Sequence, residues 1–385
     1  MTAMEKNNKT LNVPHLRFPE FSGEWEICNL KRFATKITKK NKGNICSNVL
    51  SNSANHGIIP QSDFFDRSIA NSDNTDTYYV IEGGDFVYNP RKSTTAPYGP
   101  INVYEGTEVG IISPLYLCFK VEWINKKYLY HYFKSNKWHP YMYINGDSGA
   151  RHDRVSIKDD VFLDMPLFIP SQKEQWKITL LLDAIDKRIE TQRKIIEKYE
   201  SLIRGLYHSC FCNSDSTTTK LSDVVTIVKG KQVNGENLLK NGQYYVMNGG
   251  IEPSGYLNEY NTPADTISIS EGGNSCGYVQ YNKEPFWSGG HCYSLMPKSE
   301  NVCYRFLYHF LKYKENDIMA LRIGSGLPNV QKKDLERFEV HLPSLERQRE
   351  IAKLLDIISS KRDLERQLQY SWQCQKDYML GFLFI

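Results

Sequence analysis

Apolar side chains return at alternating steps of four and three along one stretch of the chain. Ile178, Leu182, Ile185, Ile189, Ile196, Tyr199, Ile203 and Leu206 hold the seam, and Gln192 alone interrupts it. This is the heptad pattern of a helix that buries one stripe against another helix. Ser171, followed three residues later by Glu174, fits a capping box and places the helix start. No proline falls between Ser171 and His208. The pattern therefore predicts one helix of about 38 residues, about 57 Å long at 1.5 Å per residue. A compact domain does not need a helix that long, so it reads as a spacer or a dimerising arm.

The phrase that opens this helix occurs twice. IPSQKEQWKITLLLDAID begins at Ile169, and LPSLERQREIAKLLDIIS begins at Leu342. Pro170, Ser171, Gln175, Ile178, Leu181, Leu182, Asp183 and Ile185 recur in register as Pro343, Ser344, Gln348, Ile351, Leu354, Leu355, Asp356 and Ile358, each 173 positions on. Solenoid repeats run about 20–50 residues, so this period marks the duplication of half a protein. The second helix is expected from Ser344 to about Gly381, with Ile351, Leu355 and Ile358 as its packing positions. Beyond them Arg362 and Glu365 fall where apolar residues belong, while Leu364, Leu368 and Trp372 continue on a neighbouring face. The two stripes are most simply buried against each other. The rival is that one or both face partner proteins, and a stripe wide enough to include Leu181, Ile195 and Leu202 allows both.

The segments ahead of each helix have a different pattern. EVGIISPLYLCFKVEW (Glu108–Trp123) and DTISISEGGNSCGYVQYNKEPFWSGGHCYSLMP (Asp265–Pro297) alternate short β-prone runs with Gly and Pro turns. VCYRFLYHFLKYKEN (Val302–Asn316) reads as a short helix between such runs. YYVIEGGDF at Tyr78 echoes YYVMNGGIE at Tyr244, far more weakly than the helices echo each other.

Length and composition narrow the class. The 385 residues suffice for two domains, each with its own core. No run approaches the roughly 18 apolar residues of a membrane span, and MTAMEKNNKTLN lacks the apolar core of a signal peptide, so a cytoplasmic protein is expected. The nine cysteines never form a Cys-x-x-Cys pair, which argues against a structural zinc site. A net charge of +4 permits a polyanionic partner without demanding one. The charge is uneven, because Lys31–Lys42 carries six basic residues and no acid.

Motifs for chemistry are missing. The sequence has no G-x-x-x-x-G-K-[ST] loop, no G-x-G-x-x-G after a strand, and no H-x-x-x-H or H-E-x-x-H cluster. YNPRKS at Tyr88 has Arg91 where an Asn-Pro-Pro-aromatic methyltransferase motif has its second proline. What remains is a scaffold that carries two non-identical recognition domains.

VPHLRFPEFSGEW and YYVIEGGDFVYNPRKS through YGPINVYEGTEVGIISPLY resemble the first target-recognition domain of specificity subunits from type I restriction–modification systems. YYVMNGGIEPSGYLNEYNTPADTISISEGGNSCGYVQYNKEPFWSGGHCYSL is similar to the second, and the two PS…Q…LLD…I helices resemble that family's spacer regions. The resemblance covers nearly the whole chain. It implies an α+β chain of two mixed α/β target-recognition domains separated by two long antiparallel coiled-coil spacer helices. The expected division is a flexible N-terminus over 1–12, the first recognition domain over 13–170 and the central spacer helix over 171–211. A linker over 212–219, the second recognition domain over 220–343 and the C-terminal spacer helix over 344–385 complete it.

The resemblance also implies a role. The chain would bind double-stranded DNA without catalysing anything itself, each domain reading one half of an interrupted site. Two methyltransferase subunits would dock on it and methylate adenine at N6 with S-adenosylmethionine. Two restriction–translocase subunits would add ATP- and Mg2+-dependent translocation and cleavage. No cofactor is expected in this chain, and no membrane.

Base edges are read by Arg, Lys, Asn, Gln and Ser on exposed loops, and phosphates by basic side chains and backbone amides. In the first domain this selects Tyr88, Asn89, Arg91, Lys92 and Ser93, with Lys39, Lys40 and Lys42 for the phosphate backbone. In the second it selects Asn248, Gly249 and Gly250, the run Ser270, Glu271, Gly272, Gly273, Asn274 and Ser275, then His291, Arg322 and Ser325. For Tyr88 sheet packing is an equal alternative, and a lone His291 is more often a turn residue than a reader. Two other functions fit the chain less well. A scaffold binding only proteins would explain the duplication, and a restriction enzyme with its own catalytic residues would need a site the sequence does not show.

Overall fold

The structure is a computed structural model and describes residues 11–61, 75–148, 152–212, 216–324, 326 and 328–385. It divides into two compact units. One comprises Met1–Thr191 with Gln369–Ile385, and the other Gln192–Leu368.

In the first unit the β-prone runs are short and end at Gly, Pro or Asn, so they build several small sheets. β1 (Glu26–Asn29), β2 (Ala34–Lys36), β3 (Val49–Ser53), β4 (Gly57–Pro60) and β5 (Tyr79–Ile81) come first. β6 (Phe86–Tyr88), β7 (Ile101–Val103), β8 (Gly110–Ile112) and β9 (Leu117–Val121) follow. After α1 (Lys126–Lys134) and α2 (His139–Asn145) come β10 (Asp147–Ser148), β11 (Val155–Ser156), α3 (Asp159–Leu163) and β12 (Pro166–Ile169). One sheet has the order β2-β9-β6-β7 and a second the order β4-β3-β8-β5. β1 pairs with β12, which leads directly into the long helix α4 (Gln172–Cys212).

β6 is a central strand covered on both faces. Phe86 and Tyr88 enter the main core with Phe119, Phe133 and Phe162, while Val87 enters a smaller core with Leu50, Ile81 and Ile112. Burying each such side chain contributes about 1.5–3 kcal/mol.

The second unit repeats this plan. β13 (Thr217–Lys220), α5 (Leu221–Val224), β14 (Val225–Lys229), β15 (Tyr244–Met247), β16 (Tyr256–Leu257) and β17 (Thr266–Ser270) open it. β18 (Val279–Asn282), β19 (Trp287–Ser288), β20 (Cys292–Pro297), α6 (Tyr304–Tyr313), α7 (Glu315–Ala320) and α8 (Lys332–Glu336) follow. β21 (Glu339–Leu342) then leads into α9 (Leu345–Phe382). The sheet β14-β20-β17-β18 has the topology of β2-β9-β6-β7. In the sheet β16-β15-β19, β15 makes an antiparallel pair and a parallel pair, as β3 does with β4 and β8. The duplication therefore extends through the sheets of both units.

Three expectations change. Tyr79–Ile81 is β5, at the edge of its sheet, whereas Tyr244–Met247 is β15, the counterpart of β3. The echo between YYVIEGGDF and YYVMNGGIE thus links strands that are not equivalent. The segment 212–219 is only partly a linker. Residues 213–215 lie outside the described set, and from Thr217 the β-branched run TTT pairs with β21 as β13. At the N-terminus, residues 1–10 lie outside the described set, and Asn12 is tied down because its carbonyl accepts from the Trp25 amide at 2.8 Å.

The repeated helix residues prove to be clamps. In the first unit the Gln175 side chain accepts from the Asn125 amide at 3.1 Å and donates to the Pro170 carbonyl at 3.0 Å. In the second, Gln348 accepts from the Cys303 amide at 2.8 Å and donates to the Pro343 carbonyl at 2.9 Å. Asp183 accepts from His131 on α1 at 2.9 Å, and Asp356 accepts from His309 on α6 at 2.8 Å. The repeated spacing of Pro, Gln and Asp thus fixes α1 to α4 and α6 to α9.

The seam positions are covered to different degrees. Ile178, Leu182, Ile185, Ile196, Ile203, Ile351 and Leu355 are buried, and Ile189, Tyr199, Leu206 and Ile358 are half-buried. Within the first unit the start of α4 lies antiparallel to the end of α9, with Ile178 and Leu182 in one core with Leu380 and Leu383 and Asp186 bridged to Lys376. Within the second unit Leu206 and Phe211 share a core with Ile351 and Leu355, and Glu200 accepts from Arg366 at 2.6 Å. The interruption at Gln192 meets Glu365, its own counterpart 173 positions on. Antiparallel copies of one sequence meet their own counterparts where they cross, and a polar pair there accounts for the breaks at Gln192 and Glu365. None of the described helices is long and apolar enough to cross a membrane.

Candidate nucleic-acid interface

In the second unit the loops that follow β15, β17 and β19 converge. The His291 amide donates to the Asn248 side chain at 3.1 Å, and the Ser270 hydroxyl donates to the Gly249 carbonyl at 2.7 Å. Gly249 has φ +86°, and a Cβ there would lie 3.1 Å from the Gly272 carbonyl oxygen and from the His291 Cβ. Only glycine fits that crossing. Gly250 follows it, half-buried. Gly272 pairs with Asn329, the Gly273 amide donates to the Pro328 carbonyl at 3.1 Å, and Ile323, next to Arg322, pairs with the same Asn329. Asn274, His291 and Arg322 are exposed on this cluster, and Ser275 is half-buried in the turn that accepts from the Tyr278 amide.

Glu271 is buried beneath them. One of its oxygens accepts from Lys229 at 2.7 Å and from the Tyr293 hydroxyl at 2.9 Å. The other has no hydrogen-bond partner among the described residues and lies 3.9 Å from the His291 ring nitrogen. Burial and the bond to Glu271 push the Tyr293 phenol well up, so it stays a donor.

The first unit places its polar loop at the same point of the same topology. The Asn89 amide donates to the Pro100 carbonyl as the Ser270 amide donates to that of Tyr278. The Asn89 side chain donates to the Asn52 carbonyl at 3.0 Å, as Ser270 does to that of Gly249. Arg91 pairs with Arg154, and the Lys92 amide donates to the Asp153 carbonyl at 2.8 Å, as Gly272 and Gly273 do with Asn329 and Pro328. The loops 89–93 and 270–274 are therefore structural counterparts. Beside the first runs a groove of about 370 Å³ lined by Ser53, Asn55, Arg91, Lys92, Ser93 and Thr95. Arg91 and Ser93 are exposed, and no carboxylate pairs with Arg91 or Arg154 among the described residues.

Not every sequence candidate lies exposed on these loops. Tyr88 is a core residue: it is 2% exposed, stacked on Phe162 at 4.7 Å between ring centres, and its hydroxyl donates to the Tyr98 carbonyl at 3.0 Å. Burial holds its phenol far above the ordinary range. It cannot reach DNA, because β6 is covered on both faces. Asn89, Ser270 and Glu271 are also buried and act from beneath the loops. Lys39, Lys40 and Lys42 are exposed, but the bridge of Lys40 to Tyr79 sets them at the β5 edge, two strands from the β3 wall of the groove. Ser325 lies outside the described residues.

The sequence reading missed Lys229, Lys231 and Gln232. The Lys231 amide donates to the Ser288 carbonyl at 2.8 Å, its own carbonyl accepts from the Trp287 ring at 3.0 Å, and Gln232 sits against Gly290. The run Lys-Gly-Lys-Gln at a strand end was the available signal. Arg154, Asn52 and Asn102 were missed as well, along with Lys134, whose ammonium burial and the nearby charge of Lys376 push down to about 8. Among the described residues no group of three His, Cys, Asp or Glu side chains could hold a metal ion.

The chain is similar to known proteins along most of its length. Residues 213–370 match the type I restriction modification DNA specificity domain. A protein of Mycoplasma genitalium named as a type I specificity subunit is 26% identical over 251 residues, 61% of this chain and 65% of that protein. Another from Mycoplasma pneumoniae is 35% identical over 147 residues, 38% of this chain and 39% of that protein. In both matches this chain spans less than two thirds of the relative's own length. Among solved structures, the S subunit of a type I restriction–modification system from M. genitalium superposes with a TM-score of 0.69 at 19% identity, covering 97% of this chain and 99% of that one.

Proposed function

We propose that this chain is a specificity subunit of the type I restriction–modification kind, which its similarities support, and that it reads a two-part DNA sequence, one part with each unit. The observation that carries this reading is the equivalence of the loops 89–93 and 270–274. Two loops at one topological position, with different side chains, suit two readers of different short sequences. In the first unit Arg91 offers a guanidinium fork that matches the O6 and N7 acceptors of guanine. In the second, Asn274, His291 and Arg322 surround glycines that let the backbone come close. Lys39, Lys40 and Lys42 in one unit, and Lys229 and Lys231 in the other, take the phosphates, which fix register without specifying sequence.

The helices supply the measure. At 41 residues α4 is about 60 Å long, which corresponds to roughly 18 base pairs at 3.4 Å each. Adding one heptad to both helices lengthens each by about 10 Å and should widen the gap between half-sites by about three base pairs. Leu354, Ile357, Leu364 and Leu368 are exposed at helical spacing on α9, an apolar face for a methyltransferase subunit. The chain itself is a non-catalytic cytoplasmic subunit. Methyl transfer from S-adenosylmethionine to adenine N6 belongs to two methyltransferase partners, and ATP- and Mg2+-dependent cleavage to two restriction partners.

The test is a genome-wide adenine-methylation map of the host with and without the gene. Loss of one interrupted motif on deletion supports the reading; an unchanged map rejects it for that host. The exposed face on α9 would also suit a scaffold that binds only proteins. Titrating DNA against salt separates the two, because phosphate contact makes log affinity fall linearly with log salt.

A further inference from the structure

A continuous chain of hydrogen bonds runs through the first unit to its reading loop. The Lys134 ammonium on α1 donates to the Asn102 side-chain oxygen on β7 at 2.6 Å. The Asn102 amide donates to the Asn52 side-chain oxygen on β3 at 2.6 Å and to the Ser53 carbonyl at 3.0 Å. The Asn52 carbonyl accepts from the Asn89 side chain, and the Asn89 side-chain oxygen accepts from the Arg91 amide, both at 3.0 Å. Asn52, Asn89 and Asn102 are 2%, 9% and 2% exposed, so water does not compete for these bonds.

Packing does not require such a chain. The second unit has Gly249, Ser270 and Gln280 at the corresponding places, and among the described residues no side-chain relay links these three; its cross-strand relay runs instead from Tyr245 through Asn282 to Ser268, away from the loop. Its equivalent lysine, Lys312, donates to the Val279 carbonyl at 3.0 Å and is bridged to Glu315. Lys134 has no carboxylate partner among the described residues, and it lies over the Tyr130 ring at 4.9 Å. Buried polar chains are costly unless every member is satisfied, and when satisfied they fix one geometry. A guanidinium that reads a base in two-point fashion needs its backbone held within about 0.5 Å.

We propose that the relay from Lys134 through Asn102, Asn52 and Asn89 is a positioning device that sets the Arg91 loop and thereby determines the specificity of the first half-site. The inference rests on the reading given under Proposed function and assigns residues to it that touch no DNA. Lys134 and Asn102 are positioning residues. They act through direction, because each bond fixes the angle of the next.

The experiment complements the host deletion with full-length variants, its partner subunits unchanged, and maps adenine methylation. Lys134→Met and Asn102→Leu should relax only one half of the motif, the same half that Arg91→Ala relaxes. Methylation at single-base variants of that half should rise at least tenfold relative to the intact motif. Lys134→Arg, which restores a charged donor, should recover most of the stringency. Lys312→Met, the equivalent change in the second unit, should leave that half as it was. Retention of the other half-motif certifies that the variant chain is folded and assembled. An unchanged motif, a uniform loss of methylation with the motif intact, or relaxation of both halves would overturn the proposal. If the wild-type gene restores no motif at all, the reading itself fails first, and that outcome is separable from the rest.

Discussion

The two units share a topology and differ where they would meet DNA. At equivalent positions the first has Arg91 and Arg154 and the second has Gly272 and Asn329. The first carries its cations on the loop itself. The second carries them below and beside it, on Lys229 and Lys231 at the end of β14. The difference shows that a duplicated scaffold can keep its hydrogen-bonded frame while the side chains on the frame change freely. The frame bonds are mostly backbone, so they are indifferent to residue type.

The largest contrast is expected at the clamps. Asp356 is held by His309 and Arg305, which are 0% and 29% exposed, and Asp183 by His131 and Lys127, which are 1% and 66% exposed. Removing a carboxylate from partners that stay buried is costly. Asp356→Ala should destabilise the protein by about 2–4 kcal/mol, and Asp183→Ala by about 1–2 kcal/mol, since water can serve Lys127. Urea unfolding followed by separate probes in each unit checks this. Equal losses would mean that the arginine adds nothing over the exposed lysine.

The clamps also set a pH dependence. Burial pulls both His131 and His309 below the ordinary histidine value, against the pull of their carboxylates. Burial alone would raise Asp356, but bonds from His309 and Arg305 bring it down to about 2, and Asp183 is lowered likewise by Lys127 and His131. All four groups bind fewer protons folded than unfolded, so stability falls as pH falls. The histidine part is lost from about pH 6.5 downward, and the aspartate part from about pH 4, reaching toward 2 at Asp356. His309→Asn should flatten the change in melting temperature between pH 7 and pH 5.

How much of this was legible beforehand follows from the range of each signal. The seam of α4 was legible because helical packing depends on residues three and four apart. The repeat Pro-x4-Gln-x7-Asp was visible, but its purpose was not, because the partners Asn125 and His131 lie about fifty residues away. The duplicated sheets left almost no trace, since backbone pairing constrains few side chains, and the one apparent echo joined β5 to β15. Polar runs stood out by composition: of the candidates Tyr88–Ser93 and Ser270–Ser275, all but Tyr88 and Ser270 lie beyond the ends of β6 and β17. Tyr88 did not betray its burial, because a strand covered on both faces shows no alternation. The Lys134 relay joins four segments, and no local pattern predicts such a meeting.

At the loops the units should respond in opposite ways. Arg91→Ala removes the proposed base-reading fork and should cost about 1–3 kcal/mol of discrimination at one position of the first half-site. Gly272 has room for a Cβ, which would make only ordinary contacts, the nearest the Pro328 carbonyl oxygen at 3.7 Å, and its φ lies outside the left-handed region. Gly272→Arg should fold normally and alter the preference of the second half-site at the corresponding base. If it does not, the two loops are equivalent in backbone but not in what they read.

The smallest effect belongs to the phosphate contacts, and it is distinguished by its uniformity. Lys231 is exposed, and its backbone is fixed on both sides by Ser288 and the Trp287 ring, so truncating its side chain should leave the loop in place. One lost phosphate contact removes about 0.9 from the slope of log affinity against log salt for duplex DNA. Lys231→Ala should therefore weaken every sequence by the same factor, several-fold at physiological salt, with the methylated motif unchanged. The measurement is a salt titration of DNA binding by the assembled complex, for the specific site and for an unrelated duplex. A change confined to the specific site would make Lys231 a base reader. The second unit would then carry its specificity just beyond β14, outside the loop that it shares in backbone with the first.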